Sequence, residues 1–196
     1  MKKVKSNKMK YSRSKLIVEA RKEERIKYLL FWGHRPQLDG SIGAGCLSQW
    51  WEGTHAFVDE EGQRYPTAEH WMMAGKARLF KDEEVLAQIL EATSPAKAKK
   101  LGRKVKKFNE GVWRKNRYEI VKEGNLLKFG QHEDLKTFLL NTSNRVLVEA
   151  SPVDTIWGIG LARDRRDAMN PEKWKGENLL GFALMEVRDV LSENIV

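Results

Sequence analysis

At 196 residues the chain is long enough for one domain with a proper core and short for two. No run of about 18 apolar residues is present to span a membrane, and a single cysteine, Cys46, excludes an internal disulfide and a cysteine-rich zinc site. The net charge of +9 is concentrated at one end: residues 1–28 hold eleven Lys or Arg against three Glu, a net of +8, so the remainder is almost neutral.

That basic end lacks the apolar segment of a secretory signal, and the lone cysteine suits a reducing compartment, so a cytoplasmic protein is expected. Met1 to Tyr11 has the composition of a disordered arm, and Ser14 to Leu30 can form a charged helix. Such an arm either recruits a nucleic acid through its phosphates or is a solvated extension. "YLLFWGH", from Tyr28, reads as a short buried strand or loop. Arg35 to Cys46, punctuated by Pro36 and three glycines, reads as an irregular surface loop. "THAFVD" and "QRY" flank the turn Glu60-Glu61-Gly62, a hairpin pattern.

Helices follow. One starts at Pro66, placed as the first helical residue, and a second carries Val85, Leu86, Ile89 and Leu90 at helical spacing. Ser94-Pro95 caps and starts a third that runs toward Val105, and Asn109 caps a longer one with Trp113, Arg117, Ile120, Gly124 and Leu127 along one face. "EDLKTFLLNT" is a short helix, "RVLVEA" a strand, and "NLLGFALMEVRDVL" a closing amphipathic helix. Residues 151–181 have no helical or alternating period and are too long for a mere connection, which marks an ordered, functional loop. The expected fold is predominantly helical α+β, a single domain over 29–196 with a short β element and a basic extension over 1–28.

The first helix carries the most informative chemistry. Glu69, Met72, Met73, Lys76 and Phe80 fall on one side of it. Charges in an apolar stripe must be paired or neutralised, so Glu69 and Lys76 are either a structural tether or the wall of a polar cleft. His34, His55, His70 and His132 show no metal-ligand spacing, and no phosphate-binding glycine loop is present. Asp154 stands three residues before Trp157 and the glycines of "GIG". As a turn residue it is unremarkable, but backbone freedom beside Trp157 lets a ligand approach. Trp113 is either core or a stacking surface. Two carboxylates with tryptophan faces suit cleavage of a sugar–base bond, one acid protonating the leaving group and the other activating water.

The motifs "YPTAEHWMMAGKA", "GRKVKKFN", Trp113 with Arg117, "GNLLKFGQ", "LLNT", "LVEASPVDTIWGIGL" and "NLLGFALMEVR" together resemble the NADAR, or YbiA-like, family in order and content. The match runs from Leu30 to Leu191. The resemblance implies a mainly helical YbiA-like fold and N-glycosidase activity with no cofactor or metal. Substrates described for the family are aminopyrimidine ribose phosphates of early riboflavin synthesis, and ADP-ribose attached to guanine in DNA. A non-catalytic module for NAD or ADP-ribose is the alternative of another class.

By the same resemblance, Glu69 and Asp154 are the catalytic carboxylates, with Lys76 beside them as a phosphate ligand or electrostatic partner of Glu69. Phe31, Trp32, Trp113 and Trp157 would flank base or ribose, and Arg117 would hold phosphate. Asn125, Lys128, Gly158 and Asn178 would line the pocket. The chain departs from the family where many members read "FSNF": here Leu47 to Trp50 read "LSQW", after a glycine-rich insertion.

Overall fold

A computed structural model of the chain describes residues 9–22 and 25–193. The first eight residues of the expected disordered arm lie outside the described residues. Ser12 caps α1 (Arg13–Ala20), its hydroxyl accepting the Lys15 amide. The charged helix expected over Ser14 to Leu30 therefore stops at Ala20. Leu29 and Leu30 are drawn instead into β1 (Tyr28–Phe31), which pairs in parallel with β4 (Val146–Glu149), Tyr28 opposite Val146 and Phe31 opposite Glu149. A parallel pair needs a crossover, and nearly the whole domain is that crossover.

The expected hairpin forms: β2 (Phe57–Val58) and β3 (Arg64–Tyr65) are antiparallel, with Gly62 at φ 82° in the turn and Phe57 stacked on Tyr65. The helix after it, α2 (Ala68–Leu79), begins two residues later than expected. Thr67, not Pro66, sets its start: the Thr67 hydroxyl faces the His70 amide and the His70 Nδ1, and His70 Nε2 reaches the Ala92 carbonyl. His70 is thus a packed histidine with both ring nitrogens engaged.

Asp82, Ser94 and Asn109 cap α3 (Glu83–Leu90), α4 (Pro95–Gly102) and α5 (Glu110–Gly130). After α6 (Glu133–Asn141) and β4, the chain closes with α7 (Leu179–Glu193). α5 is the spine, packed between α2 on one side and α7 on the other, while α7 also backs β4. A Cβ at Gly124 would collide with the Trp71 ring, so the bare position lets α2 and α5 close up and lets the Trp71 indole donate to the Ile120 carbonyl at 2.7 Å. The buried face of α5 is Trp113, Arg117, Val121, Gly124, Asn125 and Lys128. It is rotated slightly from the expected stripe, because Ile120 and Leu127 sit at its partly exposed margin.

Residues 151–178 are folded back on β4 rather than strung across the surface. Ile159 N–H donates to the Glu149 carbonyl, Lys175 N–H to that of Ile159, and Asn178 N–H to that of Gly158. The arm is also docked. Leu16 is buried, Tyr11 OH donates to Asp189, and Lys10, Arg13 and Arg21 bind Asp189, the Pro171 carbonyl and Glu172. Part of the basic charge is thereby spent on the domain itself. Among the described residues no helix is long and apolar enough to cross a membrane.

Candidate active site

Glu69 occupies the first turn of α2, fixed from behind by its amide, which donates to the Gln49 carbonyl at 2.9 Å. It is 2% exposed, and its Oε1 is buried with no hydrogen-bond partner. Loss of water pushes its carboxyl up to about 7. The Lys99 ammonium, the Trp50 indole and Arg103 oppose that rise, while the negative charge of Asp154 adds to it.

Lys76 shares the stripe but not the charge. No ion pair joins it to Glu69; its ammonium lies over the Phe108 ring at 4.1 Å and the Trp113 ring at 5.7 Å, where burial lowers its pKa. The tether reading fails on that geometry, and Lys99 is the cation that Glu69 feels most.

Both residues line a cavity of about 270 Å³ between α2, α4, the start of α5 and the loop after β4. Trp50, Trp113 and Trp157 wall it, and Lys99 and Arg103 add positive charge from α4. A neighbouring lobe of about 450 Å³ is lined by Phe31 and Trp32 and shares Trp50, Lys99, Glu149 and Asp154 with the first. Trp32 is 58% exposed, so it stands at the mouth. Lys99 Nζ lies 5.6 Å from the Trp50 ring centroid.

Asp154 both makes a turn and faces the cavity. Its Oδ1 accepts the amides of Ile156 at 2.8 Å and Trp157 at 2.7 Å, which orients the carboxylate and seats Trp157. A third carboxylate, Glu149, was not singled out in the sequence. It ends β4, its amide donating to Asn178 Oδ1 at 2.9 Å and its carbonyl accepting from Ile159. Its Oε2 is buried and unpartnered, and burial, then Asp154, pushes the carboxyl up to about 8; Lys99 opposes this and Glu69 adds to it. The available signal was its place directly after the fully apolar run Val146 to Val148 and before "SPVD".

Five residues expected to contact substrate are not among those that line the cavity. Lys128 is buried and donates to the carbonyls of Cys46 and Ser48 at 2.6 and 3.0 Å. Asn125 Nδ2 donates to Gln49 Oε1 and the Val121 carbonyl, both at 2.8 Å. Together they pin the 46–50 segment that carries Gln49 and Trp50. Asn178, at φ 57°, holds Glu149 through Oδ1 and the Leu147 carbonyl through Nδ2. Gly158 is bare because a Cβ would lie 2.8 Å from the Glu149 carbonyl. Arg117 faces Glu110 at 3.9 Å, outside the cavity lining. Among the described residues no three His, Cys, Asp or Glu side chains group to hold a metal.

The NADAR domain model matches residues 30–192, from within β1 to the last turn of α7. The chain belongs to the NADAR domain family. An N-glycosidase of Acanthamoeba polyphaga mimivirus is 42% identical over 85% of the chain and 97% of its own length. N-glycosidase YbiA of Escherichia coli is 33% identical over 69% of the chain and 76% of its own length. The NMR structure of E. coli YbiA superposes with a TM-score of 0.64 at 27% identity, covering 87% of this chain and 92% of that one. The helix-dominated α+β domain read from the sequence is therefore a YbiA-like fold.

Proposed function

We propose that the chain is an N-glycoside hydrolase that cleaves the C–N bond between ribose and a base in a phosphorylated, nucleotide-like substrate. The observation that carries the reading is Glu69: a buried carboxyl poised near neutrality, with a free oxygen, in a cavity walled by tryptophans. A group titrating near the working pH serves as an efficient acid or base. The names of the mimiviral and bacterial relatives support the same activity.

In this reading the tryptophan faces hold the planar base, and Lys99, Arg103 and Lys76 receive phosphate. Breaking the glycosidic bond leaves positive charge on C1′, which the Asp154 carboxylate stabilises in place. Glu69 takes a proton from the water that attacks C1′. The substrate class that fits one cation-rimmed cavity is an aminopyrimidine ribose 5′-phosphate. Buried acids of raised pKa would serve no purpose in a silent binding module, because desolvating them costs stability without aiding affinity. A reducing cytoplasm is the compartment that suits the buried thiol of Cys46.

One observation favours a second substrate, an ADP-ribosyl group on guanine in DNA. Pro95 to Phe108 hold seven Lys or Arg and no acid, and the α4 cations of that stretch reach into the cavity. A polyanion laid along it would present a ribosyl group to Glu69. Release of free base by each substrate class, followed by mass spectrometry in wild type and Glu69→Gln, tests both. A Glu69→Gln enzyme as fast as wild type would remove the assignment.

A further inference from the structure

We infer that Glu149 is a further catalytic residue, the group that delivers the proton the departing base takes up as the C1′–N bond breaks. The inference rests on the hydrolase reading above and assigns a step that Glu69 and Asp154 leave open.

Glu149 lines both lobes of the cleft, so a substrate with ribose in one and base in the other lies against it. One of its oxygens is also left unpaired. Oε2 is buried and makes no hydrogen bond within the protein. Buried polar atoms are nearly always satisfied, and one left without a partner is costly to the fold. A carboxyl O–H with no protein acceptor is free to donate to a bound molecule.

Glu149 is also held rigidly. β1 pairing at Phe31, the Asn178 side chain and the Ile159 amide hold the Glu149 backbone on three sides. A proton donor needs that fixed geometry. Asp154 is a poorer donor, since its Oδ1 is already an acceptor for two amides. The charged groups that bear on Glu149 are Asp154 from the loop, Lys99 from α4 and Glu69 from α2, and burial outweighs all of them in keeping its proton on.

The step balances without a co-reactant other than water. The electron pair of the C1′–N bond stays on the base nitrogen, which takes the Glu149 proton. Water bonds to C1′ and gives its proton to Glu69. Glu69 ends protonated and Glu149 ionised, and transfer of one proton between them through solvent resets the site.

The test uses the full chain and an aminopyrimidine ribose 5′-phosphate as probe, with kcat and KM followed from about pH 5 to 10. Wild type should lose kcat/KM on both sides of neutrality. Glu149→Gln should lower kcat about 100-fold or more, leave KM within about threefold, and abolish the alkaline limb. Glu149→Asp should recover part of the rate together with that limb. A Glu149→Gln enzyme within threefold of wild type, or one that keeps the alkaline limb, overturns the donor role. Should that variant fail to fold, carboxyl-carbon NMR of wild type decides: Glu149 is expected to remain protonated at neutral pH, and titration in the ordinary carboxylate range overturns the inference. A wild-type chain that releases base neither from this probe nor from ADP-ribosylated guanine would instead remove the hydrolase reading, and the donor with it. Normal wild-type turnover with a fast Glu149→Gln removes the donor alone.

Discussion

Glu69, on α2, and Glu149, at the end of β4, line the same cavity, and each carries one buried carboxylate oxygen with no hydrogen-bond partner. The two come from elements 80 residues apart in sequence. Each makes the other's ionisation harder or shares the Asp154 field that does, so the protons of the site belong to a coupled set. Stability is given up locally where chemistry is to be done.

That sacrifice has a measurable sign. Glu69 is raised from an ordinary 4.5 to about 7, so its contribution to stability is full below the ordinary value and is lost as pH rises through about 7. Glu149 extends the same decline toward about 8. Glu69→Gln removes the buried charge and should raise the melting temperature at alkaline pH, by a stabilisation on the order of 1–3 kcal/mol, with little gain in acid. Thermal unfolding of both proteins across pH checks this; a variant less stable than wild type at alkaline pH would contradict it.

Asn178 is expected to act as a positioning residue. Asn178→Ala strands the Glu149 amide and the Leu147 carbonyl and places alanine at a positive φ. A loss of about 2–4 kcal/mol in urea unfolding should accompany a lower kcat with KM near wild type. A rise in KM alone would mean that Asn178 contacts substrate.

The cations divide in the same way. Lys99→Ala should raise KM about 10-fold or more for a phosphorylated substrate and leave KM for its dephosphorylated counterpart unchanged. Lys128→Met should instead lower stability, because two carbonyls of the 46–50 segment lose their donor. Kinetics with the paired substrates, and unfolding curves for both variants, separate the two roles.

Much of the frame was legible from local signals. Ser94, Asn109 and Gly62 marked the starts and turn that formed, and the 3.6-residue period put Glu69 and Lys76 on one side of α2. What local pattern did not carry was which surface each face meets. Asn125 and Lys128 read as pocket residues, but the segment they face is 46–50, brought there only by tertiary packing. Nothing local marks Lys99 and Arg103, which reach the cavity only because α4 packs on α2. Glu149 was hidden because a strand-end carboxylate is ordinarily exposed; here the returning loop 151–178 covers it. Of the two readings of Glu69 and Lys76, the wall of a cleft stands and the tether does not, since Phe108 and Trp113 claim the ammonium.

The docked arm gives a further test. Deleting residues 1–21 removes the buried Leu16 and the Tyr11 and Lys10 contacts to Asp189. About 1.5–3 kcal/mol for the leucine alone should lower the melting temperature by several degrees. An unchanged melting temperature would mean that the arm is a free appendage.

The most direct measurement is mass-spectrometric detection of free base from an aminopyrimidine ribose 5′-phosphate incubated with wild type and with Glu69→Gln. Release by wild type and none above background by the folded variant is the expected result. Equal release by both, or none by either from this probe and from ADP-ribosylated guanine alike, would contradict a hydrolase centred on Glu69.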